Sequence, residues 1–106
     1  MKFHSKRRRR LDFRAINRAG LASLPALLHR WLPDGWLIGH EYTALNPRRT
    51  DRRPGSFRVN INTGKWADFA TGDKGGDVVS LAAYLSGAGQ GEAARALADM
   101  LGVRHD

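Results

Sequence analysis

Residues 66–81, WADFATGDKGGDVVSL, decide how this chain is read. They begin like a half-buried strand, cross a tight turn at Gly72, Gly75 and Gly76, and end like a helix start. Loops of this shape often hold metals or phosphates, yet this one contains neither cysteine nor histidine. From Asp77 the apolar period becomes helical, with Val78, Leu81, Ala82 and Leu85 along one side. The Asp77 carboxylate is well placed to cap that helix. The three glycines also allow backbone N–H groups to converge on an anion, with Lys74 adding charge. No Gly-Lys-Ser/Thr ends the loop, so it is not a Walker loop.

Outward from this stretch, SFRVNI and KWADFA form a hairpin across Asn62-Thr63-Gly64, with Phe57, Val59 and Ile61 on one face. Residues 36–45, WLIGHEYTAL, read as one strand. Residues 12–32 show helical spacing at Phe13, Ile16, Leu24, Leu27, Leu28 and Trp31. Gly20 is expected to end a short first helix. Ser23 is expected to cap a second, with Pro25 in its first turn. Pro33-Asp34-Gly35 is a turn. A last helix runs from about Gln90 to Leu101, with Ala93, Leu97, Met100 and Leu101 inward. The expected fold is α+β: N-terminal helices, a small three-stranded antiparallel sheet and two C-terminal helices. Residues 11–106 form a single domain behind a disordered basic arm, 1–10.

The chain is short, 106 residues, and its core is correspondingly modest. With no cysteine, neither a disulfide nor a thiolate zinc site can fasten it. No apolar run approaches the roughly 20 residues that cross a bilayer. The basic N-terminus lacks the apolar segment of a secretion signal. A cytoplasmic protein without a membrane anchor is expected. The net charge of +8 is concentrated in two places. Lys2, Lys6 and Arg7 to Arg10 crowd the arm. Arg48, Arg49, Arg52, Arg53 and Arg58 stand against Asp51 alone in residues 46–58. Clustering of this kind is the footprint of a polyanion contact. A solvated arm explains the first cluster equally well. In the second, the planar guanidinium fork suits phosphates and base edges.

The segments NPRRTDRRPGSFRVN, KWADFATGDKGGDVVSLAAYLSG and GEAARALADMLGV together resemble the N-terminal zinc-ribbon-like module of bacterial, phage and plasmid primases. In the zinc-binding form that module has a Cys-Pro-x-His segment, a basic Pro-Ser-Phe strand, a Cys-x-x-Cys turn, a Gly-Gly-Asp helix start and a Glu-Ala-Ala-rich helix. The order and approximate spacing match from Asn46 to Val103. The version seen here is similar to a metal-less branch in primase-helicase proteins. Asn46-Pro47-Arg48-Arg49 replaces the first ligand segment, and Asp68-Phe69-Ala70-Thr71 roughly replaces the second. One carboxylate and one amide do not make a structural zinc site. The four histidines, His4, His29, His40 and His105, are scattered in sequence. No metal and no cofactor are expected. Packing by Trp66 and Phe69 beneath the turn, and an Asp68–Arg49 bond, are expected to hold the ribbon instead.

What the resemblance implies is a nucleic-acid-binding accessory module, not an enzyme, since the family's chemistry belongs to a separate polymerase domain. Asp68, Asp73 and Asp77 suggest a metal-binding acidic cluster, but also read as a strand-end acid, a turn acid and a cap. The expected ligand is single-stranded DNA, or RNA, held by Arg48, Arg49, Arg52, Arg53, Arg58 and Lys74. Phe57, Trp66 or Tyr42 would offer bases a stacking surface unless they form the core. The other function class is a protein-interaction module that docks on a replicative helicase, a primase polymerase domain or a host protein through the flank around Tyr84 and Leu85.

Overall fold

The computed structural model describes residues 11–48 and 55–104. The arm, and with it Arg49, Arg52 and Arg53, lies outside the described residues. Two helices come first, α1 (Phe13–Ala22) and α2 (Leu24–Trp31). Five strands follow: β1 (Trp36–Ile38), β2 (Glu41–Ala44), β3 (Phe57–Asn60), β4 (Trp66–Asp68) and β5 (Lys74–Gly75). Helices α3 (Val78–Ser86) and α4 (Gln90–Leu101) close the chain. The strands form one antiparallel sheet in chain order, β1-β2-β3-β4-β5. The class is α+β as expected, but the sheet has five strands where three were expected.

Both extra strands come from glycine. The 36–45 segment folds back on itself at Gly39-His40, with Ile38 opposite Glu41. Gly39 has φ +62° and His40 is not in the positive region, the pattern of a II′ turn. The expected single strand is therefore a hairpin. At the other edge, the glycine turn lets Lys74–Gly75 return beside β4, where the Asp68 amide donates to the Asp73 carbonyl at 2.8 Å. Gly75 also makes room: a Cβ there would lie 2.4 Å from the indole nitrogen of Trp66.

The central hairpin follows the sequence. Asn60 turns the chain by accepting from the amides of Asn62 (2.8 Å) and Thr63 (3.1 Å), and Gly64 takes φ +82°. Phe57 and Val59 point into the core, while Ile61 lies beyond the strand and is half-buried. The helices pack on that same face. Gly20 does not end α1, which runs on to Ala22. The glycine is instead a contact point, because a Cβ there would stand 2.8 Å from Val78 Cγ1. Ser23 precedes α2 without a side-chain cap bond, and Pro25 sits in the first turn.

Asp77 caps α3 as expected, accepting from the Ser80 amide at 2.8 Å. In return the Asp77 amide donates to Ser80 Oγ at 3.3 Å. The inward face of α3 is Val78, Val79, Leu81 and Ala83, with Ala82 and Leu85 half-buried on its flank. In α4 the inward residues are Ala93, Ala94, Leu97 and Ala98. Met100, expected inward, is 44% exposed. Small alanines let α4 lie against α1 and α3, and this rotates Met100 outward.

Candidate nucleic-acid interface

Asn46 and Asp68 stand where the resemblance would put zinc ligands, and both are fully buried. Asn46 Nδ2 donates to Asp68 Oδ2 at 2.7 Å and also reaches Tyr84 Oη at 2.8 Å. The Tyr84 hydroxyl donates onward to Asp73 Oδ2 at 2.7 Å. The Arg48 amide donates to Asn46 Oδ1 at 2.8 Å, and the Ala70 amide to Asp68 Oδ1 at 2.8 Å. One polar chain thus ties the loop after β2, the end of β4, the glycine turn and α3. The expected fastening was Asp68 with Arg49. Arg49 is outside the described residues, and the described side-chain partner of Asp68 is Asn46. Among the described residues no group of three or more His, Cys, Asp or Glu side chains could hold a metal ion.

Beneath this chain lies an aromatic cluster. Trp66 and Tyr84 have ring centroids 4.6 Å apart, Phe57 and Trp66 5.9 Å. The Trp66 indole donates to Ser80 Oγ at 3.0 Å. Phe69, expected to share this packing, is 68% exposed instead. Strand β4 ends at Asp68, so the alternation that buries Trp66 and Asp68 turns Phe69 out. Burial holds the Tyr84 hydroxyl above its usual pKa. The Asn46 hydrogen bond works against that, and Asp73 and Asp68 add to it.

The glycine turn offers an anion little. Of the amides at the start of α3, Val79 donates to Asn17 Oδ1 at 2.8 Å and Ser80 to Asp77. Side chains thus occupy donors that a phosphate would need.

The other candidate cations divide between two faces. Arg58 lies opposite Thr43 on one side and Ala67 on the other, and Ala67 lies opposite Lys74. Thr43 in turn faces Trp36. Trp36, Thr43, Arg58, Ala67 and Lys74 therefore form one cross-strand row about 19 Å wide, on the face away from the helices. Trp36 is 43% exposed at one end, Arg58 and Lys74 are exposed, and Thr43 is buried between. The Arg58 guanidinium sits 5.3 Å from the Phe69 ring centroid. Its Nε donates to the Gly55 carbonyl at 2.9 Å, and Nη1 lies 3.6 Å from Glu41.

Arg48 belongs elsewhere. Its Nη1 donates to the Tyr84 carbonyl at 2.7 Å, and its guanidinium covers the Tyr84 ring at 5.4 Å. It borders a groove of about 370 Å³ that reaches Lys74 and Gln90. Arg58 and Lys74 thus share the row, while Lys74 and Arg48 share the groove.

The stacking residues named from sequence are in the core: Phe57, Trp66 and Tyr42 are all buried, and the Tyr42 hydroxyl donates to the Leu32 carbonyl at 2.7 Å. The exposed aromatics on the row and beside it are Trp36 and Phe69. A two-residue turn at Gly39-His40 was the available signal for Trp36, since it makes β1 a sheet edge. Leu85 lines an apolar groove of about 360 Å³ with Trp31, Pro47, Leu97 and Met100. No described helix is long and apolar enough to cross a membrane. No protein-family model matches the chain, and no curated protein matches it.

Proposed function

We propose that this chain is a metal-free, primase-like accessory module that holds single-stranded nucleic acid, DNA in the first instance, during phage or plasmid replication. It performs no chemistry of its own. The observation that carries this reading is the cross-strand row of Trp36, Arg58 and Lys74, with Phe69 beside it. Single-strand binders combine a cationic track for the backbone with aromatic side chains for the bases. The row supplies both on a rigid sheet. The 46–58 segment joins β2 to β3, the two strands that carry Thr43 and Arg58 of the row. Arginines presented by a folded scaffold lose less entropy on binding than those of an arm.

The test is a titration with labelled single strands at two salt concentrations. The salt slope is expected to be about −0.7 per phosphate contact. Arg52→Ala/Arg53→Ala should weaken binding with the arm intact and the fold unchanged, and removal of residues 1–10 should flatten the slope. Wild-type-like binding by the double variant at about 0.15 M salt removes the loop from the site. A second reading rests on the apolar groove beside Leu85, which fits a protein contact with a helicase or a primase polymerase domain. An apolar contact does not weaken steeply with salt, so the same titration separates the two.

A further inference from the structure

The two edges of the sheet are unlike. Edge β5 is two residues long and carries Lys74, a common guard against strand pairing. Edge β1 carries Trp36, Leu37 and Ile38, exposed by 43, 51 and 59%, with no charge, proline or bulge among them. A bare edge of this kind is a template for another strand.

Register says which backbone groups face outward. The Ile61 amide donates to the His40 carbonyl at 2.9 Å, so in the β2–β3 ladder the bonded pairs are 40/61, 42/59 and 44/57. Glu41 and Thr43 therefore direct their backbone groups to β1, where they face Ile38 and Trp36. The Leu37 N–H and C=O point away from β2, to the free edge. A two-fold axis through Leu37 lets two copies exchange both of these bonds. It also sets Trp36 of each copy opposite Ile38 of the other, an aromatic–β-branched pair on each side of the axis. An odd-length strand whose central residue faces outward is self-complementary in this way, and every pair it makes is apolar.

We propose that the chain self-associates through β1, antiparallel to β1 of a second copy, giving a continuous ten-stranded sheet. Three side chains from each copy bury roughly 600 Å², below the 1,200–2,000 Å² of a stable interface, so the dimer is weak and concentration-dependent. Joining at β1 places the two Trp36-to-Lys74 rows on one surface, staggered by two residues, about 7 Å, at the junction. A single strand bound across both would then favour the dimer.

Sedimentation velocity of the full chain without nucleic acid, from low micromolar to about 0.5 mM, tests the contact independently of any binding activity. A reversible dimer is expected. Leu37→Pro removes only the outward N–H, which an edge strand tolerates, and should raise the dissociation constant at least about tenfold with circular dichroism unchanged. Leu37→Lys should do the same by placing charge at the axis. Because the chain has no cysteine, a mixture of Trp36→Cys and Ile38→Cys chains should oxidise to a mixed disulfide dimer, and neither variant alone should. A wild-type monomer at about 0.5 mM overturns the proposal. So does a dimer indifferent to both Leu37 substitutions, or cross-linking of either cysteine variant with itself in preference to the mixture.

Discussion

Removing the Asn46 side chain tests whether a hydrogen-bonded clasp does the work of a metal. Asn46 is fully buried and donates to both Asp68 and Tyr84. A bond to a charged acceptor contributes about 1.5–3 kcal/mol, and one to a neutral hydroxyl about 0.5–1.5 kcal/mol. Asn46→Ala removes both, and also the acceptor for the Arg48 amide, which is near the surface and can turn to water. Asp68 keeps the Ala70 amide, so its charge is not stranded. The expected loss is about 2–4 kcal/mol, a large share of the 5–15 kcal/mol typical of a domain. Guanidinium titration followed by circular dichroism would read it. A cavity alone would also destabilise, so the exchanged pair Asn46→Asp/Asp68→Asn is the discriminating variant. It restores one amide–carboxylate bond with the partners reversed. It should be more stable than Asn46→Asp alone, which sets two carboxylates side by side. A loss below about 1 kcal/mol for Asn46→Ala, or no recovery in the exchanged pair, would refute the clasp.

Trp66→Ala should cost about 3–5 kcal/mol, since it empties the space between Phe57, Tyr84 and Gly75; a melting temperature within a few degrees of wild type would place the indole outside the core. Prolonged chelation should leave circular dichroism and melting unchanged, and stoichiometric zinc by elemental analysis would contradict that. Both tyrosines of the chain, Tyr42 and Tyr84, have a hydroxyl pKa raised mainly by burial, with Asp34 adding to the first and Asp73 to the second. The folded state therefore favours the neutral phenol. This contribution to stability is complete below the unfolded value of 10 and is lost as pH rises through the higher folded values. Phenolate absorbance of the native protein should appear at higher pH than in denaturant, and coincident titrations would contradict the burial of these hydroxyls.

Local signals were legible where one residue type has one physical use. Asp77 before an apolar helical period reads as a cap, Asn62-Thr63-Gly64 as a hairpin turn and Pro33-Asp34-Gly35 as a turn, and all three stand in the structure. The buried faces of α2 and β3 followed from periodicity for the same reason.

Tertiary structure decided the rest, because glycine and the amphipathic residues have several uses and only neighbours choose among them. Gly20 can stop a helix or admit a close contact, and Val78, 58 residues along the chain, made it the second. Phe69 and Trp66 are both large aromatics three residues apart, and only the end of β4 puts one outside and the other within. Asn46 and Asp68 were both singled out in sequence, but as replacements of ligands and not as partners of each other. Their 2.7 Å bond exists because β2, β3 and β4 bring the two strand ends together, and no local pattern carries a distance across 22 residues. The row from Trp36 to Lys74 has the same origin. Its members gain a common face only through sheet register, a property of the paired strands and of no single segment.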